Sequence, residues 1–215
     1  MKNVKKCVIL FFSLLHLTAC AGTSLYSVRN EEFSHNKYKN LIIFIPESDI
    51  ALRAVFEDAF VEHFSQSSIK AVSSLKLFPP VTDYSNSDLN RKLIDNNIDG
   101  AIILKALNAN TNSLYIPPSS STMGSGMVMG NTMTYQSQTS QSPGFNVFQT
   151  TVTFNILLVD VKASFESEKL KIVWTATAYS KDNLGLSTVD LSAIANTLAE
   201  NIVYKLIEEN IVDHK

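Results

Sequence analysis

Apolar and polar positions alternate along this chain with two different periods, and the order of these periods predicts its architecture. Uninterrupted apolar runs at 41–45 and 101–104 suit short strands that are covered on both faces. Apolar residues spaced three and four apart predict amphipathic helices that begin near Ser48, at Ser87 or Asn86, and at Ser187 or Thr188. The apolar positions of the first helix are Leu52, Val55, Phe56, Ala59, Phe60 and Phe64, and those of the last are Leu191, Ile194, Ala195, Leu198, Ile202 and Leu206.

Strict alternation predicts the remaining strands. Residues 69–78 alternate up to a Pro-Pro pair and suit a second strand, and 147–161 form the most strand-like stretch of the chain. A return strand with Trp174 on its apolar face follows the charged turn 165–171, so the two strands form a hairpin. The predicted fold is therefore α/β (α+β). It is a single mixed sheet of about five strands with three helices, in the order strand-helix-strand-helix-strand, then a long antiparallel hairpin and a C-terminal helix.

A polar, Met/Gly/Ser-rich excursion at about 110–146 interrupts this order. It holds four of the seven glycines and four of the five methionines, which is typical of a long or poorly ordered loop. However, apolar residues recur there at every second position, as in a strand with one apolar face. Two interpretations stay open: a hairpin tip that projects from the sheet, or a segment that binds a partner or enters a membrane within an oligomeric pore. The alternating residues are Met127, Met129, Met133 and Tyr135.

The first residues have the layout of a secretory signal peptide. Three lysines precede the apolar run 7–17, which is shorter than the roughly 20 residues of a membrane-spanning helix. The run ends in Leu17, Thr18, Ala19 and Cys20, which resembles the lipobox of bacterial lipoproteins. That resemblance implies a diacylglycerol on the Cys20 thiol, cleavage before Cys20 and acylation of the new amino terminus, for example with palmitate. Alanine after the cysteine implies the outer membrane.

These observations divide the chain into three parts. Residues 1–19 are predicted to be a lipoprotein signal peptide, and the polar residues 20–40 an acylated anchor and tether. Residues 41–215 are predicted to form a single α/β domain. Because Cys7 leaves with the leader, only Cys20 remains and no disulfide can form.

Composition and charge exclude some partners and suggest little chemistry. The chain has 18 basic and 20 acidic residues, with no basic stripe, which argues against nucleic acid. No catalytic motif, cofactor loop or metal-ligand cluster is found, so neither a cofactor nor a metal is expected and the protein is predicted not to be an enzyme. Glu57, Asp58 and Glu62 are predicted to lie on the solvated outer face of the first helix.

Three short segments resemble a class of envelope lipoproteins: 97–104, 154–160 and 172–176, with Asp160 and Trp174 at the ends of the hairpin. The class includes the penicillin-binding-protein activator lipoproteins, the amino-terminal domain of TolB and the curli secretion-channel lipoprotein. The resemblance implies a noncatalytic accessory or adaptor that is lipid-anchored in the outer membrane, faces the periplasm and binds an envelope protein partner there. A subunit of an oligomeric outer-membrane assembly or export channel is the alternative, with a homo-oligomer as its form. A small envelope hydrolase is the third hypothesis.

Overall fold

Eight strands and five α-helices make up the part of the chain that the computed structural model describes, which is residues 23–46, 49–129, 132–167, 169–182 and 190–213. The strands are β1 (Thr23–Arg29), β2 (Asn40–Phe44), β3 (Lys70–Ser73), β4 (Gly100–Ile116), β5 (Ser119–Met129), β6 (Thr132–Ser142), β7 (Phe145–Asp160) and β8 (Lys171–Asp182). The helices are α1 (Ile50–Gln66), α2 (Ser74–Leu77), α3 (Asn86–Asp95), α4 (Val161–Ser167) and α5 (Leu191–Glu208).

The main sheet has six strands in the order β1-β8-β7-β4-β2-β3. β2 runs parallel to β3 and β4, whereas the β4, β7, β8 and β1 neighbours are antiparallel. β5 and β6 form a separate two-stranded sheet. The predicted mixed α/β architecture is confirmed, although the main sheet has one strand more than the five expected.

Helices α1 and α5 cover one face of the sheet and form the main core with it. Phe56, Phe60 and Phe64 of α1 are buried there against strand residues such as Ile156. This arrangement confirms the apolar stripe that the three- and four-residue spacing predicts, except that Val55 of α1 and Leu191 of α5 are exposed. On the other face, a smaller cluster packs around Ile42, Ile98 and Val161, with Leu77, Phe78, Leu93 and Phe165 partly buried against it.

The predicted tether over residues 20–40 is wrong from Thr23 onward, because this stretch contains the sixth strand. β1 pairs with β8 along its whole length. Two of its polar residues turn inward and bond there: Ser27 Oγ donates to Glu209 Oε1 at 2.6 Å, and Arg29 Nη1 donates to the Glu209 carbonyl at 2.8 Å. After a single 3-10 turn, Tyr38 is buried in the main core.

The predicted strand at 69–78 is shorter than expected, since it ends at Ser73 and continues as helix α2. The cause is Glu57 of α1, which is completely buried and not on a solvated face as predicted. Its carboxylate accepts hydrogen bonds from Ser73 Oγ at 2.6 Å, Ser74 Oγ at 2.7 Å and the Leu75 amide at 3.0 Å. A side chain from α1 therefore caps the start of α2.

The connection between β7 and β8 is helix α4 and not a charged turn. Asp160, the last residue of β7, accepts from the Ala163 amide at 2.8 Å and so caps this helix. Its other carboxylate oxygen accepts from the Tyr38 hydroxyl at 2.9 Å, and burial together with this bond raises the pKa of Tyr38. Trp174 is buried and donates from Nε1 to Glu209 Oε2 at 2.9 Å. The two residues that carry the lipoprotein resemblance thus have structural roles.

The start that the sequence predicts for α3 at Asn86 is confirmed, whereas α1 begins at Ile50 and α5 at Leu191, two or more residues after their predicted starts. Asp49 caps α1, Ser85 caps α3 in a capping box with Asp88, and Asp190 caps α5. Ser48 and Ser187, where the sequence placed the first and last starts, lie outside the described residues.

Candidate partner-binding site

The most unusual part of the described structure is a β-ribbon that leaves the main sheet. β8 pairs with β7 as far as Thr150, which lies opposite Asp182. Beyond it, β4 and β7 continue to pair with each other from Asn112 opposite Gln149 to Ile116 opposite Phe145, and no other described strand pairs with 112–116 or 145–148. β5 and β6 then extend the same hairpin. We call residues 112–149 the ribbon, the paired segments 112–116 and 145–149 its base, and 119–142 its distal part.

A proline-rich break separates the base from the distal part. Pro117 and Pro118 connect β4 to β5, Pro143 lies between β6 and β7, and none of these residues has an amide hydrogen for a ladder. Next to them, a Cβ atom on Gly144 would collide with the Tyr115 hydroxyl, so only glycine allows this close approach. The break gives the ribbon a defined point at which its direction can change.

The four residues that the sequence proposed for partner binding all lie in the distal part. Met127 and Met129 are on β5, whereas Met133 and Tyr135 are on β6. The register pairs Met127 with Thr134 and Tyr135 with Gly126. The alternation in the sequence therefore runs through a chain reversal, with two of the four residues on each strand.

The base, which the sequence analysis did not single out, carries the exposed apolar side chains of the ribbon. Leu114 is 65% exposed and Phe145 is 53% exposed. The register places Leu114, Ile116 and Phe145 on one side of the ribbon, and Tyr115 and Phe148 on the other. Single exposed apolar residues are ordinary, but five within two short paired segments form an apolar site.

The ribbon also lies within the longest uncharged stretch of the chain. Residues 106–159 contain no Asp, Glu, Lys, Arg or His, although 18% of the chain is charged. Exposed strands usually carry charges, especially lysine, which block pairing with other strands. This gap in charge is the sequence signal that could have located the whole ribbon, base included.

Both outer edges of the distal part are open in the described structure. β5 pairs only with β6 in the two-stranded sheet, so one edge of each strand presents amide and carbonyl groups to the surroundings. Such edges can add a strand from another chain. A polar hydrogen-bonding edge next to an apolar base has the chemistry that binding of an extended chain requires.

Titratable groups of the described part form hydrogen bonds within the fold and no cluster suited to a metal ion. No group of three or more His, Cys, Asp or Glu residues that could hold a metal occurs among them. Asp99 accepts from the amides of Lys39 and Asn40, and its burial raises its pKa. Leu17, Thr18, Ala19 and Cys20 lie outside the described residues. Within the described ranges, no helix has both the length and the hydropathy to cross a bilayer.

Comparisons with known proteins identify no relative by sequence: no protein-family model and no curated protein matches the chain. Among solved structures, the chain is similar to the PelC dodecamer from Paraburkholderia phytofirmans, with 10% identity and a TM-score of 0.47 over 90% of this chain and 100% of that one. It is also similar to a DUF4136 family protein from Bacteroides thetaiotaomicron, with 14% identity and a TM-score of 0.35 over 87% of this chain and 95% of that one. Because both TM-scores are below 0.5, no conclusion about function or assembly is drawn from either likeness.

Proposed function

We propose that this protein is a noncatalytic accessory lipoprotein of the bacterial envelope, anchored in the outer membrane through Cys20, which binds a protein partner in the periplasm with its ribbon. The observation that carries the proposal is the ribbon itself: an uncharged, two-stranded projection with open edges and an exposed apolar base. A folded domain gains no core packing from such a projection, so binding is its best physical explanation.

Binding to an extended segment of a partner follows from the chemistry of the distal part. Its strand edges offer a ladder of backbone hydrogen bonds, and its Ser, Thr and Gln side chains add neutral donors and acceptors. The absence of charge means that no ion has to be desolvated when a partner strand docks. This surface favours main-chain recognition over charge-based recognition.

The surroundings of two buried acids, Glu57 and Asp160, and of the partly buried Asp99 support a noncatalytic role. The carboxylate oxygens of Glu57 and Asp160 accept hydrogen bonds that cap helices and connect elements of the fold. Asp99 accepts two amide hydrogens at the start of β2. A catalytic carboxylate needs an oxygen within reach of a substrate, and these three acids serve structural bonds instead.

Site-specific crosslinking in cells tests the partner hypothesis. A photoreactive residue at the exposed Ser121 of the ribbon should crosslink to one defined envelope protein, whereas the same residue at the exposed Ser87 of α3 should not. Deletion of 119–142 should abolish function while the melting temperature of the domain is preserved. Equal crosslinking at both positions, or full function after the deletion, would contradict ribbon-mediated binding.

Metabolic labelling with a palmitate analogue tests the anchor. The wild type and Cys7→Ser should incorporate the label, because Cys7 belongs to the predicted leader, whereas Cys20→Ser should not. Label on Cys20→Ser would refute lipidation at this cysteine.

The open edges favour a second candidate function, that of a subunit in an oligomeric outer-membrane assembly or export channel. The β5 edge of one copy can pair with the β6 edge of the next, and such a head-to-tail contact closes into a ring when the rotation permits. Detergent-extracted protein should then have a multiple of the monomer mass that is lost on deletion of 119–142. A monomer in both cases would exclude this candidate.

A further inference from the structure

The register of the main sheet places the start of β1 and the exit of the ribbon at the same end of the molecule. Thr23 pairs with Ser180, Ser180 with Val152, and Val152 with Ala109. This row of residues defines one level across four strands. The base begins three residues beyond Ala109 and ends seven residues beyond it, which corresponds to about 10 Å and about 23 Å along the strand.

The body of the domain lies on the other side of that level. From Val152, β7 runs eight residues in the opposite direction to Asp160, about 26 Å at the usual rise of a strand. The main core lies along this part, with Trp174 near its far end, opposite Leu158. The level of Thr23 therefore separates a bulky folded body from the slender ribbon.

The anchor that we propose at Cys20 has little reach, because Thr23 is only three residues further along the chain. Three residues span at most about 11 Å even when fully extended. A body about 26 Å deep cannot fit between Thr23 and a membrane that lies within about 11 Å of it. The body must then face away from the membrane, which turns the ribbon toward it.

We propose that the base of the ribbon is a second membrane contact, in which Leu114, Ile116 and Phe145 on one side and Tyr115 and Phe148 on the other enter the headgroup region of the bilayer that holds Cys20. This inference rests on the proposed lipid anchor. The base starts about 10 Å beyond the level of Thr23, and the lipid on Cys20 lies at most about 11 Å from Thr23, so the base and the lipid reach the same interface. Its uncharged composition removes the cost of bringing ions to lipid, and tyrosine and phenylalanine suit the interface.

The depth of this contact is limited by the backbone. Among the described residues, 112–116 and 145–148 pair only with each other, so the outer edges of these segments carry amides and carbonyls without a strand partner there. Such groups cost several kcal/mol each in hydrocarbon, whereas headgroups and water satisfy them. The base therefore stays at the interface, inclined to the membrane plane, and the proline-rich break is a point at which the distal part can turn along the membrane surface.

Fluorescence quenching by brominated lipids tests this contact. The acylated full chain is reconstituted in phosphatidylethanolamine–phosphatidylglycerol vesicles, with lipids brominated near the headgroup. One variant carries Leu114→Trp, and its control carries Ile94→Trp on α3, at a position that is 63% exposed and therefore comparable to the 65% of Leu114. Ile94 lies near the end of α3, which leads back to Gly100 at the far end of the sheet. The native Trp174 is buried and contributes a constant background.

We expect the added emission of Leu114→Trp to shift to the blue and to be quenched, while that of Ile94→Trp is unchanged. If Leu114→Trp is not quenched although the protein carries the palmitate label and floats with the vesicles, the membrane contact is wrong and the anchor stands. If both variants are quenched equally, the deduced orientation is wrong. If Cys20 is not labelled, the proposed anchor fails and this inference fails with it.

Discussion

Removal of the Glu57 carboxylate gives the sharpest test of the described core. The side chain is 0% exposed, and Ser73, Ser74 and the Leu75 amide all donate to it. Arg53 Nη2 lies 3.5 Å from its Oε1. Glu57→Ala leaves these groups without an acceptor and opens a cavity, so the free energy of unfolding should fall by about 3–5 kcal/mol. That is a large part of the roughly 5–15 kcal/mol typical of a domain.

The control is the neighbouring acid. Asp58 pairs with Lys76 at 2.9 Å, but their side chains are 59% and 70% exposed. Asp58→Ala should therefore lower the free energy of unfolding by no more than about 1 kcal/mol. Glu57→Gln keeps the shape and allows the serine hydroxyls to rotate and accept, so its effect should lie between those of the two alanine variants.

Urea titration followed by the fluorescence of the single tryptophan, Trp174, measures all three variants, because this side chain is buried in the main core. Equal loss in Glu57→Ala and Asp58→Ala would refute the argument. It would mean that Glu57 is solvated, as the helix pattern alone predicts.

Two further predictions use the same unfolding assay. Gly100→Ala should lower the free energy of unfolding by about 1–3 kcal/mol, because the new Cβ would lie 2.8 Å from Leu41 Cδ2 in the packed core. Gly144→Ala should lower it by less than about 1 kcal/mol, because the Tyr115 ring that the new Cβ would meet is exposed and can move. Equal losses in the two variants would contradict this reasoning. Burial raises the pKa of Asp99 above its ordinary 3.8, so its contribution to stability is complete below that pH and is lost as the pH rises through the raised pKa. The melting temperatures of the wild type and of Asp99→Asn should therefore be compared from a pH below 3.8 up to neutral pH. The wild type should lose melting temperature relative to the variant as the pH rises. A difference between the two melting temperatures that does not change with pH would contradict the raised pKa of Asp99.

Hydrophobic periodicity was sufficient to predict the elements that bury one continuous apolar face. Phe56, Phe60 and Phe64 recur at helical spacing and do pack into the main core, and Phe154, Ile156 and Leu158 do so at strand spacing. These positions have one dominant energetic term, the burial of apolar area, and that term is visible in a single sequence.

Elements that depend on specific polar partners could not be predicted in this way. β1 has an inverted pattern, with Ser27 and Arg29 turned inward and Tyr26 and Val28 exposed. It is a strand because Glu209, far along the chain, accepts its inward donors. Glu57 is buried for a similar reason. The sequence contains the donors and acceptors but does not show which of them meet.

The candidate site was found by composition and misjudged in its details. The excursion at about 110–146 coincides with the ribbon, but low complexity pointed to a loop where the structure has four paired segments. Serine and threonine in regular strands give no apolar period to detect. The missing charges over 106–159 were the more informative signal, because they extend beyond the polar segment into the apolar base.

The pairing of β1 with β8 also sets an order of events during folding. β1 is the first strand to be synthesised, whereas its partner β8 begins more than 140 residues later, at Lys171. Contacts over such a separation form late, so residues 23–40 stay extended while the rest of the chain emerges. An enzyme that acts on Cys20 would then meet a long and accessible segment. Once β1 joins the sheet, only two residues separate the cysteine from the fold, so the proposed attachment would hold the domain close to the membrane.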